Sequence, residues 1–192
     1  AQAARYSTMI GMVIRDYINP FYTQFVNAAA EVLREQNYRV LTYDSGGEPE
    51  EEKTGITAFF DHPVGGLILA PSTPEPEEQL APFLENSLPV VAISSVPGKN
   101  IHVIEFDDRW IGYLATKHLI DCGHERIYHI AGPQSFPSAR DRQVAFIHCM
   151  VEHDIPFDGN SIIKTEGVLH DVSRAMPRLL RGRLKKTPCA FF

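Results

Sequence analysis

The stretch Met9–Tyr22, MIGMVIRDYINPFY, decides the predicted fold of this chain. Its first part, Met9–Ile14, is a nearly unbroken apolar run, which is typical of a strand buried on both faces. Asn19 then offers an N-cap oxygen and Pro20 stands at the first helical position, so we predict a helix that extends to about residue 36. Ligands bind at the carboxyl ends of strands in open parallel α/β sheets. The turn between this strand and this helix is therefore the first candidate site.

Strand and helix alternate along the rest of the chain. Short apolar runs predict further strands at residues 38–43, 67–70, 88–93, 101–106, 126–131 and 162–165. Amphipathic stretches predict one helix that ends near residue 60 and others at residues 74–84, 108–122, 139–153 and 171–181. This alternation favours an α/β fold with a parallel sheet and right-handed crossover connections.

Length and composition limit the class of protein to which this chain can belong. The 192 residues fit one large domain or two smaller lobes. No apolar run approaches the roughly 18 residues that a membrane span needs, and the N-terminus lacks the apolar core of a signal peptide. We therefore expect a cytoplasmic protein without a membrane partner. The cysteines, Cys122, Cys149 and Cys189, are odd in number and widely spaced, which favours reduced thiols over a disulfide framework.

The net charge of −6 is unevenly distributed. Residues 1–105 carry 14 acidic and 6 basic side chains, whereas residues 106–192 carry 10 and 12. Phosphate contacts dominate nucleic-acid affinity, so a chain this acidic is not expected to bind DNA by itself. The one basic cluster, within residues 174–186, is interpreted as a solvated helix end whose cations suit the helix dipole.

The sequence lacks the usual catalytic and metal-binding patterns. Ser94 does not stand in a G-x-S-x-G motif and no histidine takes a recognisable base position, which argues against a serine hydrolase. His118 and Cys122 are four residues apart without a second pair of ligands, so helix-end packing is favoured over a zinc site. No glycine pair forms a phosphate-binding loop. We therefore expect no enzyme activity, no cofactor and no metal.

Polar and aromatic side chains remain at the ends of successive predicted strands, as small-ligand pockets require. They are Asp16, Tyr17, Phe21, Ser94, Asp107, Phe136 and Arg142. Structural alternatives stay open for several of them. Phe21 can staple its own helix, and Asp107 equally suits an N-cap position. Arg142 can pair with Asp107 or with Asp141.

Six segments of the sequence carry a family resemblance. They are IGMVIRDYINPFYTQFVNAAAEVLREQNYRVLTYDSGGEPEEE, GGLILAPS, LPVVAIS, the FDD at residues 106–108, HLIDCGHERIYHIAGP and SARDRQVAF. In this order they cover essentially the whole chain and resemble the effector-binding core of the LacI/GalR family of bacterial transcription regulators. The resemblance implies two Rossmann-like lobes, as in type I periplasmic sugar-binding proteins, with a small ligand held in the cleft between them.

The resemblance also implies how the chain is divided. Residues 1–105 would form the N-terminal lobe and residues 106–192 a partial C-terminal lobe, which we expect to be truncated. The helix-turn-helix through which family members read operator DNA is absent. Members are usually homodimers, and the helix around residues 53–60, with Ile56, Phe59 and Phe60, is predicted to form part of the dimer face.

Carried over residue by residue, the resemblance assigns ligand contacts to eight side chains. They are Asp16, on its position alone, and Phe21, Tyr22, Ser94, Asp107, Phe136, Ser138 and Arg142. Phe21 and Tyr22 would stack on or cover the ligand, and Arg142 would supply a planar donor fork. Ala145 stands where the family usually has Gly, and Ser94 stands where Asp is common. These departures imply a smaller and less acidic pocket.

The function implied by the resemblance is that of the effector-sensing core of a bacterial repressor. Its effector would be a small molecule, a sugar or related polyol. Operator DNA would be bound only through a domain absent from this chain. The alternative is an exported sugar-binding protein of a transport system, which an upstream signal peptide would distinguish from a regulator.

Overall fold

The computed structural model describes residues 7–62, 64–72, 76–94, 96, 100–165, 177 and 189–192. The chain divides into two compact units, Ala1–Phe106 and Asp107–Phe192, which are called unit 1 and unit 2 below. Each unit is built on its own parallel sheet. The predicted α/β class with two parallel-sheet lobes is therefore confirmed.

Unit 1 is a parallel sheet with three helices among its described residues. Its elements are β1 (Met9–Ile14), α1 (Pro20–Glu35), β2 (Arg39–Asp44), α2 (Pro49–Asp61), β3 (Gly66–Leu69), α3 (Glu77–Glu85), β4 (Val90–Ile93) and β5 (Ile101–Ile104). The strand order is β2-β1-β3-β4-β5. The chain first moves outward from β1 to β2 and then crosses back to β3. The carboxyl ends of β1 and β3 therefore form the topological switch point, where open α/β sheets bind ligands.

The start of unit 1 follows its local sequence. β1 is paired with β2 on one side and β3 on the other, which is why its last four residues, Gly11–Ile14, are buried. Asn19 caps α1, because its side-chain oxygen accepts a hydrogen bond from Phe21 N at 3.0 Å. The predicted strand, cap and helix are thus confirmed, and they place the β1–α1 turn at the switch point.

The hydrophobic core of unit 1 corrects the predicted dimer face. Ile56 and Phe59 of α2 are buried against Val13 of the sheet and neighbouring apolar side chains. Phe60 packs edge-to-face on Phe83 of α3, with ring centroids 5.7 Å apart. The predicted dimer face is therefore wrong for Ile56 and Phe59, because the unit's own core covers them, whereas Phe60 is half-buried.

Unit 2 is smaller in its described part. Its elements are α4 (Asp108–Asp121), β6 (Ile127–Ala131), α5 (Pro137–Glu152), a 3-10 turn (Gly159–Ser161), β7 (Ile162–Lys164) and β8 (Ala190–Phe191). The strand order is β7-β6-β8. The helix predicted at residues 171–181 and the basic cluster within residues 174–186 lie outside the described residues, apart from Pro177.

Helices α4 and α5 approach each other closely at Gly112. A β-carbon built on Gly112 would lie 2.8 Å from the Arg142 carbonyl oxygen and 3.0 Å from the Ala145 β-carbon. Backbone atoms cannot move aside as a flexible side chain can, so only a hydrogen atom fits at this position. The close approach brings the start of α5, with its predicted site residues, against the start of α4.

Candidate functional site

The β1–α1 turn of unit 1 is held by side-chain to backbone hydrogen bonds. Asp16 Oδ1 accepts from Asn19 N at 2.6 Å, and Asp44 Oδ2 accepts from Tyr17 N at 3.2 Å. The Tyr17 hydroxyl also donates to Thr42 Oγ1 on β2. The turn is therefore tied to the neighbouring strand. One oxygen of Asp16, which was predicted to contact a ligand, is already used to shape the turn.

An aromatic cluster lies at the same carboxyl edge. Phe21 is 42% exposed, and its ring meets Tyr22 edge-on at 5.1 Å between centroids. It also meets Phe106 in an edge-to-face contact at 5.9 Å. Phe106 follows β5 and is 50% exposed. The structure thus gathers the predicted Phe21 and Tyr22 with Phe106, which the sequence reasoning quoted only as part of the FDD segment.

A buried polar network joins three strand ends beneath this edge. Ser45 Oγ donates to the Ile14 carbonyl at 3.1 Å and lies 3.0 Å from Ser72 Oγ. Ser72 N donates to the carboxyl group of Glu52, which is fully buried in the first turn of α2. The network therefore fastens the carboxyl ends of β1, β2 and β3 to α2. Sequence reasoning missed it, because Glu52 reads as one more acidic residue in a helix start.

Ser94 directly follows β4 and has an unusual backbone conformation. Its φ angle is +102°, a region that L side chains rarely adopt, and its N–H donates to the Ile104 carbonyl at 2.9 Å. Such conformations cost about 1–3 kcal/mol each and cluster at ligand sites. The half-buried Ser94 thus lies at the carboxyl edge as predicted, and its contact with a ligand stays a prediction.

Asp107 and Arg142 of unit 2 have structural partners. Asp107 Oδ1 accepts from Trp110 N at 2.8 Å, which confirms the N-cap alternative for this residue. Arg142 donates through Nε to Asp108 Oδ1 at 2.7 Å, and its Nη2 lies 2.6 Å from the same oxygen. Arg142 was expected to pair with Asp107 or with Asp141, and this expectation is wrong. Its partner is Asp108, and Asp141 pairs with Arg109 instead. Ligand contacts of Asp107 and Arg142 stay predictions.

The loop before α5 holds the remaining predicted residues. Phe136 is the N-cap residue of α5 and Ser138 lies in its first turn, both half-buried. Arg140 Nη1 donates to the carbonyl oxygens of Gln134 at 2.8 Å and Ser135 at 3.0 Å. Arg140 therefore shapes the loop that carries Phe136.

His129 is a buried titratable group of unit 2 with a strongly lowered pKa. It lies on β6 between the rings of Phe146, at 5.3 Å, and Phe192, at 4.9 Å. Burial lowers the pKa of His129 to about 4, although the Phe192 backbone opposes this shift. The side chain is therefore neutral at physiological pH and packs as a core residue.

The described residues offer binding groups rather than a metal centre. Within them, no group of three or more His, Cys, Asp or Glu side chains is placed to hold a metal ion. Cys122 Sγ lies 3.8 Å from His118 Nε2 at the end of α4, which agrees with the helix-end packing predicted for this pair. None of the helices in the described part of the chain is long and apolar enough to span a membrane.

The fold and the carboxyl-edge side chains define a class of protein. Parallel α/β units with aromatic and polar groups at a switch point are typical of small-molecule binding proteins. Residues 7–180 match the family described as periplasmic binding proteins and sugar binding domain of the LacI family, and the chain belongs to this family. The family resemblance of the sequence is therefore confirmed.

Similar proteins agree with this assignment. The chain is 28% identical over 185 residues to the HTH-type transcriptional repressor PurR of Haemophilus influenzae (strain PittEE), covering 95% of this chain and 54% of that protein. It is 29% identical over 174 residues to the ribose operon repressor of Halalkalibacterium halodurans, covering 91% and 50%. The chain thus spans about half the length of the curated relatives it matches.

A solved structure shows the same fold. It is a periplasmic binding protein/LacI transcriptional regulator from Alkaliphilus metalliredigens, in complex with D-xylulofuranose. Its TM-score to this chain is 0.76 at 22% sequence identity, and the match covers 96% of this chain and 77% of that one. At this identity the likeness concerns the fold alone.

Proposed function

We propose that this chain is the effector-sensing part of a bacterial transcriptional repressor and that its effector is a sugar or related polyol. The proposal is carried by the aromatic and polar side chains that meet at the carboxyl edge of unit 1. The family to which the chain belongs supports the proposal. The names of similar proteins also support it, since they include a ribose operon repressor and a complex with D-xylulofuranose. Operator DNA would be bound by a helix-turn-helix outside the described chain, in the cytoplasm.

The geometry of unit 1 suits a sugar. The exposed ring of Phe21 offers an apolar surface for the C–H groups of a sugar face, and hydroxyl groups of the ligand need hydrogen-bond partners beside it. Ser94, at the end of β4, and the Asp16 carboxyl group supply such partners.

A sugar titration tests the proposal. The chain is titrated calorimetrically with D-ribose, D-xylulose, D-fructose and D-glucose, as parent and as Phe21→Ala. We expect at least one sugar to bind, and Phe21→Ala to weaken it about tenfold, which corresponds to about 1.4 kcal/mol. Val32→Ala, an exposed apolar truncation further along α1, is the matched control and should change nothing. Equal affinity of parent and Phe21→Ala would contradict the assignment of this edge.

We also propose that the protein acts as a homodimer. The dimer face cannot use Ile56 or Phe59, since unit 1 buries both. Sedimentation velocity over a hundredfold concentration range tests the proposal, which predicts a dimer. A monomer at every concentration would contradict it.

The alternative of an exported sugar-binding protein is less favoured, because the curated relatives named above are repressors.

A further inference from the structure

The contact between Phe21 and Phe106 spans most of the sheet of unit 1. Phe21 is the second residue of α1, the helix that follows β1, whereas Phe106 follows the edge strand β5. Strands β3 and β4 lie between them in the sheet order. Adjacent strands are about 4.8 Å apart, so the ends of β1 and β5 are separated by about 14 Å. The two rings therefore reach across the carboxyl ends of β3 and β4, where Ser94 lies.

The two rings form a corner with exposed surface. Their planes meet at 74°, and each side chain keeps close to half of its surface exposed. Two rings at this steep angle offer one ring face and one ring edge to a third flat group. Aromatic clusters prefer such edge-to-face contacts. Two phenyl rings supply no hydrogen bond. The group that fits this corner is therefore flat and apolar.

The neighbouring polar groups limit the rest of the ligand. The Asp16 carboxyl group and the Ser94 hydroxyl lie at the ends of β1 and β4 in the same edge. Both can form hydrogen bonds with hydroxyl groups. Neither carries a positive charge, so neither favours an anionic ligand. A ligand that satisfies the corner and these groups together has a hydroxyl-rich part and an apolar flat part.

We propose that Phe106 is a specificity-determining residue and that the effector is a sugar that carries an apolar ring substituent, such as an aryl glycoside. This inference rests on the proposed function and deepens it. The sugar part lies on the Asp16 and Ser94 side, and the substituent occupies the corner between Phe21 and Phe106. Phe106 therefore discriminates between glycosides that differ only in the substituent.

Matched pairs of glycosides test this role. The chain is titrated calorimetrically with the methyl and phenyl β-D-glycosides of glucose, galactose and xylose. For each sugar that binds, we expect the phenyl glycoside to bind about tenfold more tightly than the methyl glycoside. Phe106→Ala should abolish this preference, so that the two glycosides of a sugar bind with equal affinity. Phe106→Leu, which keeps apolar bulk without a ring, should keep part of the preference.

The controls separate the possible failures. Val103→Ala removes a partly exposed apolar side chain from β5, the strand that precedes Phe106, and should keep the preference. Equal binding of methyl and phenyl glycosides by the parent would overturn the inference but leave the proposed function standing. The same holds if Phe106→Ala weakens both members of a pair equally. No binding of any glycoside or free sugar would overturn the proposed function and the inference with it. If Phe106→Ala fails to fold, the parent and Phe106→Leu decide the question.

Discussion

The guanidinium of Arg142 holds a carboxyl group that has little access to water. The Asp108 side chain is only 14% exposed, and Arg142 supplies two nitrogen atoms to one of its oxygens. A second pair, Arg109 with Asp141, joins the same two helices in reverse order but is much more open to solvent. Exposed ion pairs contribute little, whereas removal of one partner from a buried pair leaves an uncompensated charge.

Arg142→Ala should therefore lower the free energy of unfolding of unit 2 by about 1–2 kcal/mol. Arg109→Ala, the matched control, should lower it by less than about 0.5 kcal/mol. Urea titrations followed by the fluorescence of Trp110, the single tryptophan of the chain, measure both values in unit 2. Addition of Asp108→Asn should recover part of the loss in Arg142→Ala. Equal effects of the two arginine variants would show that burial of Asp108 does not matter.

Glu52 is the buried counterpart of this pair in unit 1. Its carboxyl group accepts from Ser72 N without contact to solvent, and the amide of a glutamine would bring two N–H donors that need partners there. Glu52→Gln should therefore destabilise unit 1 by about 1–3 kcal/mol and speed amide exchange at Ser72. Glu50→Gln, two residues earlier and exposed, is the control. Residue-resolved hydrogen exchange measures the protection of the Ser72 amide in both variants. Unchanged protection in Glu52→Gln would contradict the role of Glu52 in holding Ser72.

At the scale of elements, α4 and α5 depend on one another through a single small residue. An alanine normally stabilises a helix relative to glycine by up to about 1 kcal/mol. At Gly112 the added β-carbon would instead collide with the backbone of Arg142. The overpacking cost, about 1–3 kcal/mol, outweighs the gain in helix propensity.

Gly112→Ala should accordingly lower the urea midpoint of unit 2, and Trp110 fluorescence reports it. Gly159→Ala is the matched control, since it adds the same methyl group where no atom lies within 4 Å. The control should leave the midpoint within error of the parent. A rise in the midpoint for Gly112→Ala would show that the two helices can separate without cost.

The elements themselves were predictable to a useful degree. Strands β1 to β7 and helices α1 to α5 were predicted with bounds that agree to within three residues. Apolar spacing, Asn19 and the N-terminal prolines act within one or two turns of chain, so a sequence window contains their causes. α3 was placed three residues too early, because its acidic residues suit either the approach to the helix or its first turn.

At the scale of the whole molecule, stability depends on pH through His129. The pKa of its imidazole is about 4 in the folded chain against an ordinary value of 6.5, because burial disfavours the charged form. The unfolded chain therefore binds more protons than the folded chain between these values. The resulting loss of stability begins as pH falls below 6.5 and is complete near pH 4.

Over this window unit 2 should lose up to about 3 kcal/mol through His129. His129→Gln cannot gain a proton, so its stability should fall less across the same pH range. Urea titrations at pH 7, 6, 5 and 4 with Trp110 fluorescence measure the difference between the variants. Carboxyl groups titrate in both chains, and the comparison cancels their contribution. Parallel pH profiles would show that His129 is protonated without cost in the folded state.

The fold class, the alternation of elements and the carboxyl edge as the candidate site follow from the sequence by itself. The partners of the site residues do not. Arg142 was expected beside Asp107 or Asp141 and pairs with Asp108, 34 positions away, while Glu52 reaches Ser72 across 20 positions. The contact between Phe21 and Phe106 depends on the order of the strands between them. Local spacing determines which face of a helix or strand is apolar, but only strand order and helix packing decide which distant side chains meet.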